Sequence, residues 1–546
     1  MNPDRPLLIQ GDHYIYVDTT HPEYKIVLPV VQEVSDLVKT PSSIHIYKIS
    51  SHSIWYACEQ GIEFQEASRF FHTFSKLQPP STLMDWMKSQ FERYDILKIV
   101  LDSRNRMKLV SSKKGLLLSL LPDGGDCLTD GENEYMVFDP SYRGRLKKRL
   151  MNEGYPVKDF GGYEQGAGID ISKKEGIRLR PYQKEACDAF MKRSSLDGGA
   201  GVVILPCGSG KTMVGIELLT RLRQETLIVT PNDTSLRQWF REVKQHTSVS
   251  DEEISMYDSS KKELSPITIT TYQMLTHKRS KSGEFSHLKT FRERQWGLVI
   301  YDEVHLLPAP LFRFAAELQS TRRLGLTATC VREDGREGDI FSLIGPKRYE
   351  AGIKMLEENQ WIASPTCKEI RVPFCDVDAK KYWLLSKKEQ FRHASENKEK
   401  LNVLDHILKK HSRNKVLIIG SYLDQLEMVK AHTGFPLVTG KTPKEERERI
   451  FQNFRQSKIR VLILSKVANL ALDLPDAEVG IQLSGAFGSR QEEAQRIGRL
   501  LRKSEKSDDV TFYTLVTPGT KEEERASNRQ LFMIEQGYEY KTEEWG

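Results

Sequence analysis

The chain of 546 residues lacks the features that mark a membrane, secreted or zinc-stabilised protein. No apolar run approaches the roughly 20 residues that a membrane-spanning helix needs. Its seven cysteines are scattered and none forms a C-x-x-C pair, which argues against a zinc site or a redox dithiol. The first residues have no basic segment followed by an apolar one, so we expect no signal peptide. Together these absences predict a cytoplasmic protein.

The chain also lacks a strong charge of either sign. Its 81 Lys and Arg residues and 75 Asp and Glu residues leave a formal net charge of +6. This slight basic bias is compatible with nucleic acid binding but does not establish it. At roughly 100–200 residues per domain, the length predicts three or four domains.

The chain does contain two series of short, apolar runs rich in β-branched residues. The first series begins at Gly201, Thr226, Ile267, Gly297 and Arg323, and the second at Lys415, Arg460, Val479 and Val510. Such runs are typical of parallel strands covered by helices on both faces. Two series indicate an α/β fold with two lobes in tandem. We expect their boundary near residues 349–368, where the strand signal is poor.

The strongest local motif is LPCGSGKT, from Leu205 to Thr212, between a strand run and an amphipathic helix. In this arrangement backbone N–H groups and the helix N-terminus face a bound phosphate. Lys211 adds a positive charge at the β- and γ-phosphates, and Thr212 adds a ligand for Mg²⁺. The alternative is a glycine turn before an ordinary helix, because Leu205 replaces the first glycine of the strict motif. The predicted phosphate-binding residues are Cys207, Gly208, Ser209, Gly210, Lys211 and Thr212.

An acidic pair, Asp302 and Glu303, ends the apolar run that begins at Gly297. Asp302 can hold Mg²⁺, and Glu303 can orient and deprotonate an attacking water. Two carboxylates at a strand end are more often a solvated turn. Their position about 90 residues after the phosphate motif favours the catalytic interpretation.

A basic motif, QRIGRLLR, runs from Gln495 to Arg502. Arg499 and Arg502 are three residues apart, so they share one face of a helix. Such a pair can reach a γ-phosphate as an arginine finger does. The alternative is an ordinary basic helix face.

In order and spacing these motifs resemble those of superfamily 2 helicases, and longer strings resemble the XPB family specifically. These strings are DEVHLLPAPLFR, LGLTATCVRED, TGKTPKEERERIFQNFR, DLP and EQGYEY. The resemblance implies two tandem RecA-like lobes preceded by small α+β domains. It also implies ATP and Mg²⁺ as cofactors and a 3′–5′ DNA helicase or translocase activity in DNA repair. For such a cytoplasmic protein it further implies association with the nucleoid.

The resemblance assigns roles to further residues of this chain. Residues expected to bind the nucleotide are Arg180, Gln183, Asp473 and Gln495, and the resemblance implies that Gln183 reads adenine. Residues expected to couple the nucleotide state to lobe position are His305, Thr327 and Thr329. Residues expected to contact DNA are Thr230, Pro231, Thr271, Arg332, Glu333 and Asp334. The last three match an Arg-Glu-Asp element of the family, which we expect at the fork.

The N-terminal strings PLLIQGDHYIYV and RGRLKKRLMNEGYPVKDF resemble the N-terminal module and the next small domain of bacterial XPB-like proteins. In archaeal relatives a domain at this place is associated with sensing damaged DNA. The predicted domains are residues 1–110, 111–175, 176–350 and 351–546.

The segment Lys380–Arg392 is either a short thumb-like insertion or a solvated helix. Ala468 and Asn469 depart from the family pattern, which has Gly and Asp there.

Two other functions stay open from the sequence. One is a translocase that moves on duplex DNA without separating the strands. The other is a DNA-binding scaffold with weak ATPase activity, although Lys211, Glu303 and Arg499 are all present. The expected partners are single-stranded and forked DNA, with a nuclease or another repair protein as a possible third component.

Overall fold

The computed structural model describes residues 4–39, 43–102, 106–139, 142–160, 166–191, 199–206, 208–276, 287, 290–291, 294–306, 320, 322–328, 340–341, 343–359, 361, 364–465, 477–485, 509–535 and 540–545. Its contacts divide the chain into two compact units. The first unit consists of Met1–Leu205 and Gly210–Ala351, and the second of Pro206–Ser209 and Gly352–Gly546.

The first unit begins with an antiparallel sheet of four strands, in the order β1-β2-β4-β3, with helices packed against it. Alternate residues of β2 are buried, as expected for a sheet with one covered face. The helix α2 begins after Ser50, whose hydroxyl accepts a hydrogen bond from the Ser53 amide. The elements are β1 (Leu7–Ile9), β2 (Tyr14–Asp18), α1 (Tyr24–Val34), β3 (Asp36–Lys39), β4 (Ile44–Lys48), α2 (Ser51–Gln60), α3 (Phe64–Phe74) and α4 (Ser81–Arg93).

A second sheet of five strands follows, in the order β7-β8-β6-β5-β9. Its elements are β5 (Leu97–Leu101), β6 (Met107–Ser111), α5 (Leu116–Leu120), β7 (Cys127–Asp130), β8 (Asn133–Phe138), α6 (Arg143–Asn152) and β9 (Val157–Asp159). A buried ion pair of 3.0 Å between Arg143 and Asp159 ties α6 to β9. The domain boundary predicted between residues 110 and 111 falls inside β6, which pairs with both β5 and β8 of this sheet.

The rest of the first unit is built on seven parallel strands, in the order β12-β13-β11-β14-β15-β10-β16. Every residue of β11 and β13 is buried, which explains their unbroken apolar and β-branched sequences. The elements are α7 (Pro181–Met191), β10 (Ala200–Ile204), α8 (Lys211–Leu222), β11 (Thr226–Thr230), α9 (Asp233–His246), β12 (Ile254–Tyr257), β13 (Ile267–Thr271), α10 (Tyr272–Thr276), β14 (Leu298–Asp302), β15 (Arg322–Thr327) and β16 (Lys347–Glu350).

The strand register brings the predicted motifs to one edge of this sheet. The last residues of neighbouring strands are close to level: Thr230 pairs with Thr271, Asp302 with Leu326, and Ile204 with Thr327. Because the strands are parallel, the segments that follow them all leave at this edge.

The second unit contains another parallel sheet of seven strands, in the order β19-β20-β18-β21-β22-β17-β23. The elements are α11 (Ile353–Glu358), β17 (Ser364–Arg371), α12 (Asp376–Tyr382), α13 (Lys387–Ser395), α14 (Lys400–Lys410), β18 (Val416–Gly420), α15 (Leu423–Thr433), β19 (Leu437–Val438), α16 (Lys444–Arg455), β20 (Val461–Ser465), β21 (Val479–Gln482), β22 (Asp509–Val516), α17 (Lys521–Glu535) and β23 (Tyr540–Glu544).

The predicted fold class is confirmed: two tandem RecA-like lobes follow small α+β domains. The contacts divide the chain between Ala351 and Gly352, inside the stretch 349–368 where the boundary is expected. The strands β16 and β17 overlap the two ends of this stretch. One local expectation needs correction. The segment 380–392 is not one solvated helix but parts of α12 and α13. Among the helices that the structure describes, none is both long and apolar enough to cross a membrane.

Candidate nucleotide-binding site

The phosphate motif forms the connection between β10 and α8. Gly208 and Gly210 both have φ of 78°, a left-handed conformation that glycine adopts without strain. A Cβ atom on Gly210 would also lie 2.6 Å from Nε2 of Gln183, so a side chain there would displace the Gln183 amide. The helix α8 begins directly afterwards at Lys211, and Thr212 is its second residue. The first amides of this helix are therefore placed to bind an anion.

Lys211 lies beside the predicted general base. Its Nζ is 3.5 Å from Oε1 of Glu303 and donates to the Leu205 carbonyl at 3.4 Å. The two side chains are only 11% and 21% exposed. Glu303 has φ of 49°, which is unusual for a residue with a side chain and is common at functional sites. The turn after β14 thus places the carboxylate next to the lysine that follows the phosphate loop.

Asp302, the last residue of β14, is held at two points. Its Oδ2 accepts a hydrogen bond from Nε1 of Trp239 at 3.0 Å, and its main-chain oxygen accepts one from the Tyr272 hydroxyl at 2.8 Å. Burial and the neighbouring Glu303 carboxylate raise the pKa of Asp302 to about 6. Two adjacent carboxylates in such surroundings favour a bound cation.

His305 connects the turn after β14 to the end of β15. Its Nδ1 is 2.8 Å from Oγ1 of Thr327 and 3.4 Å from Oε2 of Glu303. Both His305 and Thr327 are buried. The structure thus brings His305 into direct contact with Thr327, a second predicted coupling residue, and with the predicted general base Glu303.

Two of the residues expected to bind the nucleotide, Arg180 and Gln183, lie at the start of α7. The Oε1 atom of Gln183 accepts a hydrogen bond from the Arg180 amide at 2.9 Å, and its Nε2 donates to the Gly210 carbonyl at 3.5 Å. The guanidinium of Arg180 donates to the Tyr182 hydroxyl at 3.3 Å. Gln183 is therefore adjacent to the phosphate loop, but its role toward adenine stays a prediction.

The threonines expected to contact DNA are at the ends of β11 and β13. Both are buried, and each hydroxyl bonds within the protein: Thr230 donates to the Thr270 carbonyl at 3.0 Å, and Thr271 accepts from the Met274 amide at 3.2 Å. Pro231 is partly exposed. A DNA contact at this edge would therefore use main-chain groups or exposed neighbours rather than these hydroxyls.

Several predicted residues lie outside the part of the chain that the structure describes. They are Cys207, Thr329, Arg332, Glu333, Asp334, Ala468, Asn469, Asp473, Gln495, Arg499 and Arg502.

Trp239 and Tyr272, by contrast, were not predicted as site residues. They lie 63 and 30 residues from Asp302 along the chain, and no spacing rule indicates such contacts.

Three family models match this chain. A model described as ERCC3/RAD25/XPB C-terminal helicase matches residues 356–544. A model of the res subunit of type III restriction enzymes matches residues 176–332, and a helicase conserved C-terminal domain matches residues 7–125.

The chain is also similar over nearly its whole length to curated proteins. It is 41% identical to the DNA 3′-5′ helicase XPB of Kineococcus radiotolerans, covering 98% of this chain and 96% of that protein. It is 41% identical to the Mycobacterium tuberculosis protein of the same name, covering 98% and 97%. It is 30% identical to an Arabidopsis thaliana protein, covering 99% and 79%; that protein is named general transcription and DNA repair factor IIH helicase/translocase subunit XPB2.

Proposed function

This chain belongs to the XPB family of helicases, and we propose that it is an ATP-dependent 3′–5′ DNA helicase that acts in DNA repair. The observation that carries the proposal is the approach of Lys211 to Glu303 at 3.5 Å, next to Asp302. A phosphate-binding lysine, a general base and a carboxylate for a metal then occupy one sheet edge, as ATP hydrolysis requires. The two bacterial relatives support the DNA substrate and the polarity.

The residues present fit a magnesium nucleotide. The left-handed glycines and the start of α8 suit phosphate groups. The pKa of Asp302 is raised by burial and by the Glu303 carboxylate, and a bound cation would offset the charge of both carboxylates. Thr212 and Asp302 would hold Mg²⁺, which when bound neutralises charge on the phosphates. Gln183 would contact adenine, and Arg180 would also bind the nucleotide.

Within the chain, each step of hydrolysis belongs to a named group. Lys211 binds the phosphates, which draws its charge away from the Glu303 carboxylate. Glu303 orients the attacking water and accepts its proton. A change in the position or charge of Glu303 reaches Thr327 through His305, whose Nδ1 atom lies 2.8 Å from the Thr327 hydroxyl. Arg499 and Arg502 are expected to stabilise the charge on the transferred phosphoryl group.

DNA would bind at the same sheet edge, at the segments that follow β11 and β13. Contacts to phosphates rather than bases would make binding independent of sequence and sensitive to salt. Single-stranded and forked DNA are the proposed substrates, with Arg332, Glu333 and Asp334 at the fork. A nuclease or another repair protein is the proposed protein partner.

A second candidate function is translocation on duplex DNA without strand separation. The name of the Arabidopsis relative includes both helicase and translocase, which supports translocation as the second candidate. The two functions share the ATP site and differ in whether the strands part.

The test of the ATP site is Glu303→Gln, which keeps the shape of the side chain and removes the base. We expect ATP binding to survive while DNA-stimulated hydrolysis falls by about 100-fold or more, the usual contribution of a general base. The matched control is Glu252→Gln, at an exposed carboxylate of the same lobe. Hydrolysis by Glu303→Gln at the rate of the control would refute the proposed catalytic role.

A further inference from the structure

The order of strands in the first lobe separates the segments proposed to bind the nucleotide from the segments proposed to bind DNA. The nucleotide segments follow β10, β14 and β15, which are neighbours in the sheet. The proposed DNA segments follow β11 and β13, which are also neighbours. The border between the two groups runs between β11 and β14. Two side chains from the DNA group cross this border, and both end on Asp302.

The first of these side chains is Trp239, which is 2% exposed and lies on the helix α9 that follows β11. Asn232 caps α9, since its side chain accepts from the amides of Thr234 and Ser235 at 3.0 Å. The indole ring also packs onto α8: a Cβ atom on Gly215 would lie 2.5 Å from its Cη2. Held between two helices, the ring has little freedom, and its N–H fixes the direction of the Asp302 carboxylate.

The second side chain is Tyr272, which directly follows Thr271 at the end of β13 and is 5% exposed. Its hydroxyl passes the end of β11 and donates to the main-chain oxygen of Asp302 at 2.8 Å. The backbone that precedes Glu303 is therefore tied to the end of β13. If that segment shifts, either the hydrogen bond breaks or Asp302 moves with the segment.

We propose that Trp239 and Tyr272 are positioning residues that link the DNA-binding edge of the lobe to the metal-binding carboxylate Asp302. This inference rests on the proposed function. A change at the end of β11 or β13 when DNA binds alters the donor positions at Asp302, and the affinity for magnesium nucleotide changes with it. By linkage, the nucleotide changes the affinity for DNA by the same factor.

A purely structural role makes a different prediction. If the two hydrogen bonds only stabilise the fold, their loss lowers the stability of the lobe without changing the factor by which one ligand affects the other. The chain supplies matched controls for this comparison. Tyr257 is a buried tyrosine of the same sheet whose hydroxyl bonds to His287 at 2.8 Å, and Trp296 is a buried tryptophan whose indole donates to the Phe291 carbonyl at 2.9 Å.

The experiment measures linkage by equilibrium binding on the full chain. Fluorescent mant-ATP with Mg²⁺ is titrated with and without a saturating dT oligonucleotide, using Glu303→Gln as background to prevent hydrolysis. The affinity for labelled oligonucleotide is then measured with and without nucleotide. We expect Tyr272→Phe and Trp239→Phe each to reduce the coupling factor by about threefold or more, within the range of typical couplings. Tyr257→Phe and Trp296→Phe should leave it unchanged.

The results separate the possible failures. Coupling that persists in Tyr272→Phe and in a folded Trp239→Phe overturns the inference and leaves the proposed function standing. Equal losses in the two controls also overturn it, because the effect would then come from packing in general. A parent chain that binds neither mant-ATP nor DNA contradicts the proposed function itself. Tyr272→Phe removes one buried oxygen atom only, so it tests the inference even if Trp239→Phe fails to fold.

Discussion

At the scale of single residues, the site places two carboxylates side by side where the protein excludes much of the water. Burial and Glu303 raise the pKa of Asp302 to about 6, so ionising this carboxyl costs more free energy in the folded chain than in the unfolded chain. Glu303 additionally has a left-handed backbone. Both features cost stability and are typical of groups arranged for a ligand rather than for the fold.

This cost predicts a pH-dependent gain in stability for Asp302→Asn. An unfolded chain ionises Asp302 near 3.8 and the native chain near pH 6, so the unfolding free energy falls as pH rises between these values. Asp302→Asn removes this titration. In urea unfolding without Mg²⁺ or nucleotide, we expect Asp302→Asn to be more stable than the parent at pH 7.5, with an advantage that shrinks toward pH 4.

The matched control for this prediction is Asp85→Asn, at an exposed position of α4, which should change stability little at either pH. A variant Asp302→Asn that is less stable than the parent at pH 7.5 would contradict the interpretation of this carboxylate.

The sequence alone could place most of these residues. Asp302 and Thr327 end strands with recognisable apolar runs, and Lys211 and His305 come shortly after such strands. Their shared edge could therefore be predicted from the parallel topology. Trp239 could not be placed, because nothing in its own segment distinguishes a core tryptophan from one that donates to a carboxylate.

At the scale of elements, the strands that could be predicted are the inner strands of each sheet. They are covered on both faces, so their sequences are continuous apolar runs. In the two parallel sheets, the strands that escaped prediction are β12, β16, β17, β19 and β23, and four of them are sheet edges. The exception, β17, lies between β22 and the edge strand β23. It carries polar side chains that form ion pairs with β23, such as Lys368 with Glu543 at 2.5 Å.

The helices of the second unit are joined by a fully buried ion pair. Lys400 at the start of α14 and Glu522 on α17 are 2% and 1% exposed and lie 2.8 Å apart. Lys400 also donates to the Leu483 carbonyl at 2.8 Å, and Glu522 accepts from the Thr517 amide at 3.0 Å. Removing one partner of such a pair leaves a buried charge without compensation.

We therefore expect Glu522→Gln to destabilise the second unit by about 3–5 kcal/mol. Hydrogen exchange of the α14 and α17 amides in the full chain measures this loss locally. Glu524→Gln, at an exposed position of the same helix, is the control and should stay within about 0.5 kcal/mol. Equal protection in the two variants would show that the pair contributes nothing to joining the helices.

At the scale of the whole molecule, the N-terminal sheet is fastened to the edge strand β16 of the first lobe. Lys347 lies 2.6 Å from Asp36, and the buried Arg348 lies 3.0 Å from Glu59. Arg348 also donates to the Ala200 carbonyl at 2.7 Å, at the start of the strand that leads to the phosphate motif. The N-terminal region is therefore part of the first unit and not a separate appendage.

The central claim, that ATP hydrolysis drives 3′–5′ unwinding, is tested most directly by strand displacement on two DNA duplexes that differ only in carrying a 3′ or a 5′ single-stranded tail. The parent chain should release the short strand from the 3′-tailed duplex when ATP and Mg²⁺ are present, and leave the 5′-tailed duplex intact. Glu303→Gln should release neither. Hydrolysis stimulated by DNA without release from the 3′-tailed duplex would contradict the claim and favour translocation on duplex DNA.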